Sequence, residues 1–201
     1  MDVEQSQIFL YMAENTAREA HRGQFRRDGI TPYIEHVETV VNNCKGHLVA
    51  MIVAWLHDVL EDSDITEDDL RDDGYPEYII EAVKLLTKPK GSNYLEYISK
   101  IKENPLARQV KLADMSANLS DTPSEKQTLK YSLAIQILTN FVVREECNHT
   151  QLMYGPRVPA RYGSFETEVC VKCGAWRTTN HTLSHWHHND ISEAVKEAEE
   201  F

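Results

Sequence analysis

Leu48-Val49-Ala50-Met51-Ile52-Val53-Ala54-Trp55-Leu56-His57-Asp58-Val59-Leu60 is apolar on nearly every side until it meets a histidine and an aspartate. A helix with no polar face is buried among other helices. This stretch therefore predicts an all-α, helix-on-helix core, with His57 and Asp58 carried into it. An ionised carboxylate in such a place is costly unless a cation or hydrogen bonds compensate it.

Working outward, the rest of residues 1–143 also reads as helices between short polar breaks, with no alternating strand pattern. Ile8 to Ala20 is amphipathic, and Gly23, Gly29 and Pro32 turn the chain into a polar loop. Val37 to Asn42 begins a second helix. Thr66 with Asp69 three residues later forms a capping-box pattern, and Tyr78–Leu86 and Tyr94–Ile101 follow at helical spacing. Pro105 suits the first turn of a helix over Ala107–Leu119. Ser124 to Val143 closes the bundle with Leu129, Leu133, Ile137 and Phe141 four apart.

The 201 residues carry 21 Lys+Arg against 32 Asp+Glu, a net charge of −11, so the surface repels phosphate chains and general nucleic-acid binding is not expected. No apolar run has membrane-spanning length, and Met1-Asp2-Val3-Glu4 lacks the order of a signal peptide. The expectation is a soluble, cytoplasmic protein without a membrane partner, the number of associating copies being left open.

The His57-Asp58 pair has company. His36 lies upstream, Glu61-Asp62 follow one turn later, and Asp114 interrupts the apolar run Val110-Lys111-Leu112-Ala113-Asp114. On a continuous helix His57 and Glu61 share a face and Asp58 lies above Asp62. Imidazoles and carboxylates converging with open positions suit a borderline or hard divalent ion such as Mn²⁺. Of the acids between Glu61 and Asp73, only Glu61 and Asp62 carry functional weight. The others belong to a solvated helix and its flanks.

Five words of sequence extend this pattern: Ala20-His21-Arg22-Gly23-Gln24-Phe25-Arg26-Arg27-Asp28-Gly29, Pro32-Tyr33-Ile34-Glu35-His36, Trp55-Leu56-His57-Asp58-Val59-Leu60-Glu61-Asp62, Leu86-Thr87-Lys88, and Lys111-Leu112-Ala113-Asp114 with Asn118. In this order they resemble the HD-type hydrolase domain of the RelA/SpoT homologues, in particular the small stand-alone alarmone hydrolases of the metazoan SpoT-like kind. The resemblance covers residues 1–143. It implies an HD-domain helical bundle with Mn²⁺ on His36, His57, Asp58 and Asp114, and the acidic pair Glu61 and Asp62 beside it orienting or deprotonating water. It also implies a nucleotide substrate, with Arg26 at the base or phosphate, Arg27 and Lys88 offsetting phosphate charge, and Asn118 at the nucleoside. His21 stands outside that metal set. Met115, Ala117 and Asp121 depart from the usual family residues, as does one extra residue between Gly29 and Pro32. The implied reaction is removal of the 3′-pyrophosphate from (p)ppGpp or a related adenosine alarmone. Alternatives are an HD-type phosphohydrolase acting on a nucleoside triphosphate, a monophosphate or NADPH, and a zinc-bearing interaction module on a helical scaffold. The residues after 143 are too few for the synthetase of the long bifunctional enzymes.

Residues 144–201 differ in composition, holding three of the four cysteines and five of the nine histidines with little apolar material. Cys147-x-His149 and Cys170-x-x-Cys173-Gly174 form two ligand pairs suited to one structural Zn²⁺, in a zinc-ribbon or knuckle arrangement. Any of His181, His185, His187 and His188 could replace His149. Asp190 with Glu193 caps a final helix.

Overall fold

The computed structural model describes residues 1–139 and, as backbone, four strands between residues 152 and 179. The helices are α1 (Val3–Ala20), α2 (Tyr33–Asn43), α3 (Leu48–Leu56), α4 (Val59–Asp62), α5 (Glu67–Asp72), α6 (Glu77–Leu86), α7 (Tyr94–Glu103), α8 (Pro105–Leu119) and α9 (Glu125–Thr139). The all-α expectation holds for this part of the chain. It divides into two compact units, one of residues 1–92 and 103–114, the other of residues 93–102 and 115–201. The expected boundary at residues 143 and 144 lies outside the described residues.

In the first unit α3 is the centre. Ala50 and every residue from Ile52 to Leu56 are buried, as an all-apolar helix requires. α1 lays Phe9, Ala13 and Ala17, spaced four apart, on its buried side, and the two alanines are fully covered. α2 contributes Val37, Val40 and Val41, and α6 contributes Ile79, Ile80, Val83 and Leu86. Outside this core, the Arg18 guanidinium lies 5.3 Å from the Trp55 ring centroid and pairs with Glu14 and Glu38. The capping box of α5 is formed as the sequence predicts, with Thr66 and Asp69 bonded reciprocally.

The structure departs from expectation in three places. α2 starts at Tyr33, four residues early, because Pro32 pre-sets the backbone at its N-terminus. The His57-Asp58 pair does not continue α3: the helix ends at Leu56 and α4 restarts at Val59. The reason is local, since His57 Nδ1 takes the Ala54 carbonyl at 2.8 Å, one of the acceptors a helix end leaves without a backbone partner. In the second unit, α9 buries Thr128, Ser132, Ile135 and Leu138 together with Leu133, rather than a row of leucine and isoleucine alone. Leu133 packs with Leu95 and Leu129, and the Lys130 ammonium lies 4.3 Å from the Tyr94 ring centroid.

The appended segment carries strands that the sequence reading did not place: β1 (Leu152–Tyr154), β2 (Val158–Ala160), β3 (Gly163–Cys170) and β4 (Trp176–Thr179). β3 pairs antiparallel with each of the others, with Leu152 opposite Cys170, Val158 opposite Phe165 and Val169 opposite Trp176. The signal was a short alternation, Phe165, Thr167 and Val169 against Ser164, Glu166 and Glu168. Cys147, His149, Cys173, the histidines at 181–188 and the expected final helix lie outside the described residues.

Candidate metal centre

Three elements of the first unit bring their chemistry to one point. The first turn of α2 presents His36, the end of α3 presents His57, and α8 presents Asp114, all buried. One donor atom from each lies within 4.8 Å of the others. α8 is tied against α2 where the Asn43 amide donates to the Ala113 carbonyl at 3.2 Å. His36 Nε2 is 3.2 Å from Asp114 Oδ1, and the two imidazole centroids are 5.6 Å apart. Asp58 stands beside His57, its Oδ2 2.9 Å from His57 Nε2, next to the three-donor group.

The protonation geometry favours a cation. With Nδ1 committed to Ala54, the other nitrogen of His57 is the one free to ligate. That Nε2 is buried and has no hydrogen bond of good geometry, with Asp58 Oδ2 standing 2.9 Å away as its ionic partner. The spacings of 2.9 Å at His57–Asp58 and 3.2 Å at His36–Asp114 bring each pair close enough to share one ion. The residues present therefore fit a divalent ion.

The electrostatics agree. Burial opposes ionisation of Asp114, but Lys111, whose Nζ is 2.9 Å from Oδ2, and His36 at Oδ1 hold it well below the usual carboxylate range. Burial likewise opposes Asp58, and the neighbouring His57 with the Tyr33 hydroxyl keeps it ionised. Desolvation would favour a neutral His57, yet Asp58 and Asp114 outweigh it and raise the imidazole to about 9. Without a metal, a proton on His57 balances the buried carboxylates. An ion takes that place by displacing it.

Glu61 and Asp62 occupy α4, just past the pair. Both residues are open to solvent, although their carboxyl groups face the protein closely enough for desolvation to push each upward. Glu61 Oε2 accepts the Lys88 backbone N–H at 3.0 Å, so Lys88 meets the acidic pair through its main chain. Arg26 and Arg27 lie on a braced loop: the Asp28 carboxylate accepts from Ile30 N, Thr31 N and the Thr31 hydroxyl, and Gly29 takes φ +69°. Those bonds lower Asp28 to about 2. The base of the loop is anchored at the site where Gln24 Nε2 donates to the Asp62 carbonyl at 2.7 Å. Asn118 follows Asp114 by four residues on α8, within the second unit.

Two residues of the site had no role in the sequence reading. Tyr33 donates to Asp58 Oδ2 at 2.5 Å, and burial with that carboxylate raises its phenol far above the usual value. Lys111 pairs with Asp114. The signal for both was spacing, Tyr33 three before His36 and Lys111 three before Asp114.

No family model matches the chain. A guanosine-3′,5′-bis(diphosphate) 3′-pyrophosphohydrolase of Haemophilus influenzae is 30% identical in a 135-residue alignment, with 61% of this chain and 20% of that protein covered. The chain thus spans about a fifth of that relative's length. A solved structure described as a metazoan ortholog of SpoT that hydrolyses ppGpp superimposes with a TM-score of 0.53 at 26% identity, covering 66% of this chain and 84% of the other. The chain is thus similar in sequence to the first of these proteins and in fold to the second. No described helix is long and apolar enough to cross a membrane.

Proposed function

We propose that this chain is a Mn²⁺-dependent hydrolase removing the 3′-pyrophosphate from (p)ppGpp or a related adenosine alarmone. The observation that carries the reading is the buried His36/His57/Asp114 group with His57 Nε2 open, set in a SpoT-like chain. His36, His57, Asp58 and Asp114 hold the ion. When bound, it polarises a phosphoryl oxygen and makes a water acidic enough to serve as nucleophile near neutral pH. Glu61 and Asp62 orient that water and take its proton. One water is consumed, an O–P bond forms to it, the 3′ O–P ester bond breaks and pyrophosphate leaves. Arg26, Arg27 and Lys88 offset phosphate charge, and Asn118 contacts the nucleoside.

Residues 1–143 form the hydrolase and residues 144–201 an appendage held by Zn²⁺ on Cys147, His149, Cys170 and Cys173. The thiolate-rich set suits zinc and the histidine-carboxylate set manganese. The protein works in the cytoplasm on a small nucleotide.

Purified full-length protein with Mn²⁺ over a nucleotide panel tests the reading. Pyrophosphate released from an alarmone is the expected result. Orthophosphate or triphosphate from another nucleotide replaces it with the general HD phosphohydrolase reading, and no turnover leaves an interaction module. Elemental analysis of the same sample is expected to find zinc. A reversible Cys170–Cys173 disulfide without zinc would refute the appended metal site.

A further inference from the structure

The Tyr33 hydroxyl is bonded to one of the site's acids, donating to Asp58 Oδ2 at 2.5 Å. Its ring is wedged between two imidazoles, with centroids 4.9 Å from His21 and 5.6 Å from His36. Its backbone N–H donates to the Gln24 carbonyl at 2.9 Å.

The support continues behind it. His21 Nδ1 donates to Gln24 Oε1 at 2.8 Å, while the Gln24 amide nitrogen donates to the Asp62 carbonyl at 2.7 Å. A closed loop of contacts results, from Asp58 through Tyr33 to Gln24 and on to Asp62. His21 is buried at the end of α1 and packs on the face of the Tyr33 ring. Outer partners of metal-ligating side chains fix ligand orientation, and their loss lowers affinity or activity by about 10–100-fold.

We propose that Tyr33, backed by His21 and Gln24, is a positioning residue that holds the Asp58 carboxylate in register with the main chain of Asp62, joining the metal-holding group to the turn that carries the acidic pair. The inference rests on the hydrolase reading above. Tyr33 acts through Asp58 and, by way of Gln24, through the Asp62 main chain.

Tyr33→Phe keeps the ring contacts with His21 and His36 and removes only the hydroxyl. In the full chain, freed of metal and titrated with Mn²⁺ alone, this variant should bind about 10–100-fold more weakly than the parent. At saturating Mn²⁺ it should lower kcat and leave KM near the parent value. Combined with Gln24→Ala, which frees the Asp62 main chain, its loss in kcat should be smaller than in the parent background, because coupled residues are not additive. A residue that merely packs would lower the melting temperature and move neither Mn²⁺ affinity nor the double-variant coupling. Affinity within about twofold of the parent, or strictly multiplicative losses in kcat, would overturn the role of Tyr33 while leaving the metal reading intact. A parent protein that binds no Mn²⁺ would overturn the metal reading and this inference together.

Discussion

Two acidic regions lie within a few residues of each other and behave in opposite ways. In α5, Asp68 and Asp69 stand in water and Glu67 is half-exposed. Asp69 closes the capping box with Thr66, while Arg71 reaches Asp68 at 2.7 Å, Glu67 at 3.3 Å and Glu77 at 3.0 Å. Exposed pairs of this kind contribute about 0–1 kcal/mol each and weaken with salt. At the metal centre, Asp58 and Asp114 are enclosed, and each needs a specific positive partner to remain ionised. The same side-chain chemistry thus supports a helix end in one place and prepares a cation site in the other. Burial makes the difference, because screening by water removes most of a charge's leverage.

The sharpest way to break that contrast is Asp114→Ala or His57→Ala. Either should abolish both Mn²⁺ retention and turnover while circular dichroism shows the helices intact, since α3 packs through apolar residues. Full activity in a folded Asp114→Ala protein would remove the site assignment. Glu61→Gln, on the exposed side of the centre, should keep the ion and lower kcat by about 10²–10⁴-fold. Loss of the metal instead would make Glu61 a ligand.

A pH titration of stability separates the regions further. His57 is raised in the fold from 6.5 to about 9, so in metal-free protein its contribution is fully present below pH 6.5 and is lost as pH rises through 9. The loss should be on the order of 3 kcal/mol, and Mn²⁺ should suppress it. Chemical denaturation at a series of pH values, with and without Mn²⁺, measures this. The smallest effect belongs to the exposed helix: Thr66→Ala should cost about 1 kcal/mol of stability and leave Mn²⁺ affinity unchanged. A change in affinity would show that the two regions communicate.

Much of this was readable along the chain because it depends on local rules. The all-apolar run at Leu48–Leu56 fixes a central helix, Thr66 and Asp69 cap α5 through contacts three residues apart, and acids and histidines inside apolar words mark a site whose charge must be compensated. Those are properties of sequence spacing and solvation cost, and they gather His36, His57, Asp58, Glu61, Asp62 and Asp114 into one candidate group, within which the family resemblance implies the ligand set. The strands at residues 152–179 were harder to see, since the alternation from Phe165 to Val169 spans only five residues and pairing depends on partners elsewhere.

The tertiary structure alone decided how the groups face one another. The break after Leu56, made when His57 Nδ1 turns back to Ala54, overrides the continuous helix that periodicity suggests and leaves Nε2 open. Asp58 stands beside the donor cluster because Tyr33, distant in sequence, holds its carboxylate. Gln24 and Lys88 meet the acidic pair across separations of 38 and 27 residues. Hydrogen bonds are directional over a few tenths of an ångström, and such alignment between distant segments is set only when the helices pack.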